Sequence, residues 1–137
     1  MAFDPLEAEE LARAAYARVL QRQFGASKRP AGALAPARLA NVVDFIAANL
    51  SRQLSIAELA DVAALSPFHF ARSFRRTTGL APNRFITALR MARAVERLRN
   101  SRLPVEEVAD EIGLSNVSHF RRLFRLHYGH TPSVLRD

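Results

Sequence analysis

The sequence predicts an all-α protein: two helix-turn-helix subdomains joined by a long linker helix, with an extra amphipathic helix ahead of them. Three observations predict it. Apolar residues recur at three- and four-residue intervals, and no run alternates at the strand period of two. Prolines, capping residues and glycines punctuate the chain where helices start and stop. The second half of the chain also repeats the pattern of the first.

Asp4–Phe24 reads as the first helix. Asp4 suits its cap, Pro5 its first turn, and Glu7, Glu9 and Glu10 the positive end of its dipole. Leu11, Ala15, Tyr16, Val19, Leu20 and Phe24 form an apolar side, which fits either packing on the rest or self-association and docking of another module. Gly25–Pro36, rich in small residues and proline, reads as a linker. From Pro36 to about Leu50 a helix buries Leu39, Val42, Val43, Phe45, Ile46 and Leu50. Ser55 and Glu58 then form a capping box for a short helix from Ile56 to Ala63. Ser66 caps the next helix and Pro67 fits its first turn; Phe70 and Phe74 face inward, and Gly79 stops it.

Pro82 opens a long helix to about Asn100, with Phe85, Ile86, Leu89, Ala92, Val95 and Leu98 inward and Arg84, Arg90, Arg93, Arg97 and Arg99 interspersed. Val105, Val108, Ala109 and Ile112 mark a second short helix, which Gly113 closes. Ser115 is positioned to cap the last main helix, where Phe120 and Phe124 lie one turn apart on the inner side. Thr131, Pro132 and Leu135 point to a short terminal helix.

The 137 residues suit one domain or one unit of two small lobes. Cysteine is absent, which excludes disulfides, thiolate zinc sites and cysteine nucleophiles and fits a cytoplasmic location. No apolar run reaches membrane-spanning length. No nucleophile–base pair, phosphate loop or metal set appears, so neither enzyme activity nor a cofactor is expected. His127 and His130 lack the further ligands that a metal needs. A formal charge of +7 instead points to a polyanionic partner. Nine arginines and a single acid, Glu96, lie between Ser66 and Arg102, whereas Glu58, Asp61, Glu106, Glu107, Asp110 and Glu111 gather on the two short helices. Sorting charge by element in this way gives a basic face.

The repeat aligns Leu54, Glu58, Ala60, Asp61, Leu65 and Ser66 with Leu103, Glu107, Ala109, Asp110, Leu114 and Ser115. After one extra residue in the second turn, His69, Phe70, Arg72, Phe74, Arg75, Gly79 and Pro82 align with His119, Phe120, Arg122, Phe124, Arg125, Gly129 and Pro132. A helix with aromatics on one face and arginines on the other, set across a sharp turn from a shorter helix, suits a DNA major groove. Through LSIAELADVAALSPFHFARSFRRTTGLAP and VEEVADEIGLSNVSHFRRLFRLHYGHTP, the chain resembles the DNA-binding domain of the AraC/XylS family of bacterial transcription regulators. It departs from the usual pattern at Ala64, Leu114 and Leu135, where the family favours glycine, an aromatic and tyrosine.

The resemblance divides the chain into an N-terminal helix and linker at 1–35, a remnant of or connection to an effector or dimerisation domain, and a DNA-binding unit at 36–137. The first helix-turn-helix then spans about 55–78, the linker helix 82–100 and the second helix-turn-helix 104–128. It implies recognition helices at Pro67–Thr77 and Asn116–His127, double-stranded DNA as partner, and activation through contact with RNA polymerase. The helical wheel supports the same surfaces. Phe68, Ala71, Arg72, Arg75 and Arg76 are the expected DNA-facing residues of the first head, and Val117, Ser118, Arg121, Arg122 and Arg125 those of the second. Arg72 and Arg122 suit guanine edges better than phosphates, whereas Arg75, Arg76 and Arg125 suit phosphates. Phe68 fits a thymine methyl or packing on a neighbouring helix. Two other roles stay open. The chain can be a short modulator that pairs with itself or a full-length relative through Asp4–Phe24, or a non-specific basic DNA-binding protein.

Overall fold

The structure, a computed structural model, describes residues 32–136; the expected helix at Asp4–Phe24 lies outside the described residues. Among the described residues, six α-helices and a 3₁₀ turn follow in order: α1 (Pro36–Ala48), α2 (Ile56–Val62), α3 (Pro67–Thr78), α4 (Pro82–Asn100), α5 (Val105–Glu111), α6 (Val117–Tyr128) and the 3₁₀ turn Pro132–Arg136. No strand occurs among the described residues.

Local signals set most boundaries. Ser55 accepts from the Glu58 amide, and the Glu58 carboxylate accepts from the Ser55 amide, so both ends of the expected capping box close. Ser66 caps α3 by accepting from the His69 amide at 3.2 Å. Gly79 and Gly129, at φ +81° and +78°, end α3 and α6 in the left-handed conformation. The cap of α6 differs from expectation. Asn116, not Ser115, accepts from the His119 amide at 3.1 Å. Leu65 and Leu114 donate to Ala60 and Ala109 in the same way. The repeat therefore stays in register through those leucines, and the extra residue is Ser115 itself.

Two aromatic cores flank α4. The first joins Leu39, Val42 and Ile46 of α1 and Leu59 of α2 with Phe70 and Phe74 of α3 and Phe85 and Ile86 of α4. The second joins Met91, Ala94, Val95 and Leu98 of α4 with Val108, Ala109, Ile112, Phe120 and Phe124. Phe74 meets Phe70 and Phe85 at ring separations of 5.5 and 5.2 Å. Phe124 meets Phe120 at 5.8 Å and Tyr128 at 4.7 Å. These tilted and edge-on contacts suit the charge distribution of the rings. Burial pushes the Tyr128 phenol up to about 12.

The linker helix thus belongs to both lobes, and its buried face moves round the axis along its length. This corrects two expectations. Ala92 and Leu89 are half-buried where Met91 and Ala94 are fully buried. Arg90, expected among the arginines interspersed outside the inward-facing set, is 8% exposed and donates from Nη2 to the Arg52 carbonyl at 2.8 Å. Arg97 is not a free cation either, since it grips Glu111 through two bonds of 2.7 and 2.9 Å. That guanidinium holds the Glu111 carboxyl below its ordinary 4.5. The expected linker also contributes to the fold. Leu34 is buried in the first core, and its amide donates to Thr77 Oγ1 at 2.9 Å.

Candidate nucleic-acid interface

Both proposed reading helices follow from the same arrangement. A 12-residue helix buries phenylalanines one turn apart, here Phe70 and Phe74 in α3 and Phe120 and Phe124 in α6. Residues rotated by about half a turn must then face outward. On α3, Phe68, Arg72, Arg75 and Arg76 are exposed and Ala71 is half-buried. On α6, Ser118, Arg121, Arg122 and Arg125 are exposed and Val117 is half-buried. Eight of the ten expected residues are therefore exposed and two are half-buried, and all four core phenylalanines are fully buried. No acid lies on either helix, and Arg75, Arg76 and Arg125 occupy the last turns, where cations suit the dipole.

The two arginines expected to read bases are held differently. Arg72 lies over the Phe68 ring, 5.7 Å from its centroid, and Phe68 itself is 73% exposed. Arg122 donates from Nη2 to His119 Nδ1 at 3.1 Å. Arginine has no acceptor to offer, so this contact requires Nδ1 to be unprotonated. His69 and His119 share a backbone role, since each amide donates to the cap three residues earlier, but of the two rings only that of His119 has a hydrogen bond to the arginine three residues on. Arg121 lies 3.6 Å from Glu106 of α5, an exposed pair that leaves its guanidinium near the short helix.

The first head carries a concave feature beside its outer face. A shallow groove of about 250 Å³ runs beside α3, lined by Gly32, Phe68, His69, Arg72, Ser73 and Arg76. Gly32 lies so close to the Arg76 side chain that an added Cβ would meet it at 2.5 Å. Arg76 thus lies beside the segment entering α1. Sequence reasoning missed Leu126, which is 77% exposed on α6. The repeat contained the signal, because Leu126 occupies the position of Arg76 in the second half.

Comparison with known proteins agrees with this geometry. A family model described as "Helix-turn-helix domain" matches residues 59–137. The regulatory protein PocR of Salmonella typhimurium is 30% identical over 100 residues, which are 73% of this chain and 33% of PocR. The HTH-type transcriptional activator RhaS of Escherichia fergusonii is 32% identical over 101 residues, 74% of this chain and 36% of RhaS. The chain thus spans about a third of the length of these two relatives. The DNA-binding domain of AdpA, solved in complex with a target DNA, superposes with a TM-score of 0.68 at 33% identity, covering 72% of this chain and 89% of that one. An AraC-type regulator from Chromobacterium violaceum superposes with a TM-score of 0.69 at 26% identity, over 73% of this chain and 89% of its own. With the duplicated helix pair and these matches together, the chain belongs to the AraC family of helix-turn-helix proteins.

Proposed function

We propose that this chain is the DNA-binding part of a transcription regulator, and that α3 and α6 read two successive major-groove segments of one duplex. The observation that carries the reading is the pair of helices with buried aromatic inner faces and arginine-bearing outer faces, mounted at opposite ends of α4. At 1.5 Å per residue the 19-residue α4 spans about 28 Å, close to the ~34 Å between major-groove faces on one side of a duplex. Arg72 and Arg122 read guanine edges, Phe68 meets a thymine methyl, and Arg75, Arg76 and Arg125 hold phosphates. The outer faces differ in sequence, so a single chain selects an asymmetric site.

The relative named RhaS is called an activator, which supports activation as the mode; contact with RNA polymerase is the route that the resemblance implies. Pairing through Asp4–Phe24 belongs to the same proposal for the residues outside the described ones.

The test is selection of bound duplexes from a random pool, followed by substitution. Arg122→Ala costs about 1–3 kcal/mol at one base position and relaxes preference there, whereas Arg125→Ala weakens all duplexes alike and lowers the salt slope by about one. Equal affinity for every duplex at fixed salt would leave only charge-driven, non-specific binding.

A further inference from the structure

The lobes meet at a joint that the DNA-facing surfaces do not include. Arg90 stands midway along α4, between the residues that α4 gives to the first core and those it gives to the second. It is 8% exposed and reaches back to the Arg52 carbonyl, in the loop after α1. The Arg52 side chain meanwhile binds Glu58 of α2 at 3.0 Å, so that loop is tied to the first head. On the other side lies Gly113, in the turn of the second head, with φ +80°. A Cβ there would collide with the Leu50 carbonyl oxygen and come within 3.2 Å of Arg90 Nη2. One guanidinium therefore sits where the α1–α2 loop of the first lobe, the linker helix and the turn of the second lobe converge. Within the second lobe, Arg97 ties the C-terminal half of α4 to Glu111, two residues before Gly113.

Arg90 is poorly suited to a purely stabilising role. A buried guanidinium loses hydration, and its Nε has no hydrogen-bond partner among the described residues. An apolar side chain would fill the space at lower cost, but it would not donate to the Arg52 carbonyl. In some proteins, buried polar groups of this kind fix one arrangement among several apolar ones.

We propose that Arg90, packed against Gly113, is a positioning residue that locks the angle between the two heads, and so sets the half-site spacing the protein accepts. The spacing part rests on the two-groove reading above; the locked joint does not. The first experiment needs no DNA. Residual dipolar couplings of backbone amides, measured on the full free chain, should fit both heads of the wild type with one alignment tensor. In Arg90→Met each head should need its own tensor, and Arg90→Lys, which still donates towards Arg52, should restore the single one. Gly113→Ala should separate the tensors by pushing on the same seam. A single tensor retained in Arg90→Met overturns the lock, as does a wild type already needing two. Unfolding of a head in both Arg90→Met and Gly113→Ala also overturns it, by making the contact a prop of the fold.

The second experiment uses duplexes selected by the wild type, with one half-site shifted by one base pair, a turn of about 34°. The wild type should lose about tenfold or more in affinity and Arg90→Met markedly less. Equal losses overturn the spacing role. A wild type indifferent to the shift, with its tensors still coupled, sinks the two-groove reading and leaves the joint standing.

Discussion

In the first head the bend between the two helices runs through Ala64, at φ +57°; in the second it runs through Gly113, at φ +80°. Ala64 is the sole residue other than glycine with positive φ among the described residues, and it faces solvent. Its Cβ strains the backbone, but the residue is exposed. Gly113 faces the Leu50 carbonyl and the Arg90 guanidinium, so its turn has no room for a side chain. The two halves thus share a bend and differ where one half touches the other. Conformation alone favours glycine at both positions; contact with the neighbouring lobe enforces it at only one.

The largest effect that bears on this comparison comes from the cores. Phe74→Ala and Phe124→Ala should each lower unfolding free energy by about 3–5 kcal/mol in denaturant titrations. Hydrogen exchange adds the sharper result, because the mutated head should lose protection first if the lobes open separately. Simultaneous loss in both heads would show that α4 couples them into a single unit. Gly113→Ala should cost about 2 kcal/mol or more, by backbone strain plus the collision with Leu50. Ala64→Gly is its counterpart and should raise stability by about 0.5–1 kcal/mol, the relief of strain exceeding the added freedom of the unfolded chain. If both substitutions gave small effects, the neighbouring-lobe explanation would fail.

The helix caps come next. Asn116→Ala and Ser66→Ala should each cost about 1 kcal/mol, and Ser115→Ala much less, by thermal or chemical unfolding. An equal loss at Ser115 would restore the simple alignment of Ser66 with Ser115. A further effect, confined to high pH, belongs to the second head. The Tyr128 phenol is raised in the folded state, so the stability it contributes is fully present below pH 10. It should fade as pH rises from there towards about 12. Tyr128→Phe should flatten that part of the stability profile.

The elements and the outward faces of α3 and α6 were legible in the sequence because their causes are local. Ser55 with Glu58, Pro67, Pro82, Gly79 and Gly129 each act within one turn of helix, and the spacing of Phe70 with Phe74 and Phe120 with Phe124 determines which side is left for the arginines. What escaped the sequence depends on contacts across the chain. A helical wheel cannot show that α4 is shared by two cores, so it left Arg90 and Met91 off the buried stripe. The choice of Asn116 over Ser115 was ambiguous because both side chains can cap, and only the path of the turn decides between them. Leu126 was legible through its partner Arg76, but apolar character on a polar face carries no periodic signal of its own.

Leu34 has a practical consequence. Its side chain fills part of the first core from a segment whose composition reads as linker, and its amide occupies the Thr77 hydroxyl. A recombinant fragment trimmed to begin at Pro36 would keep every α-helix described and still leave an open slot against α3, inviting partial melting of that lobe. Preparations intended for binding or crystallisation are better started upstream of Gly32, so that this plug travels with the helices it seals.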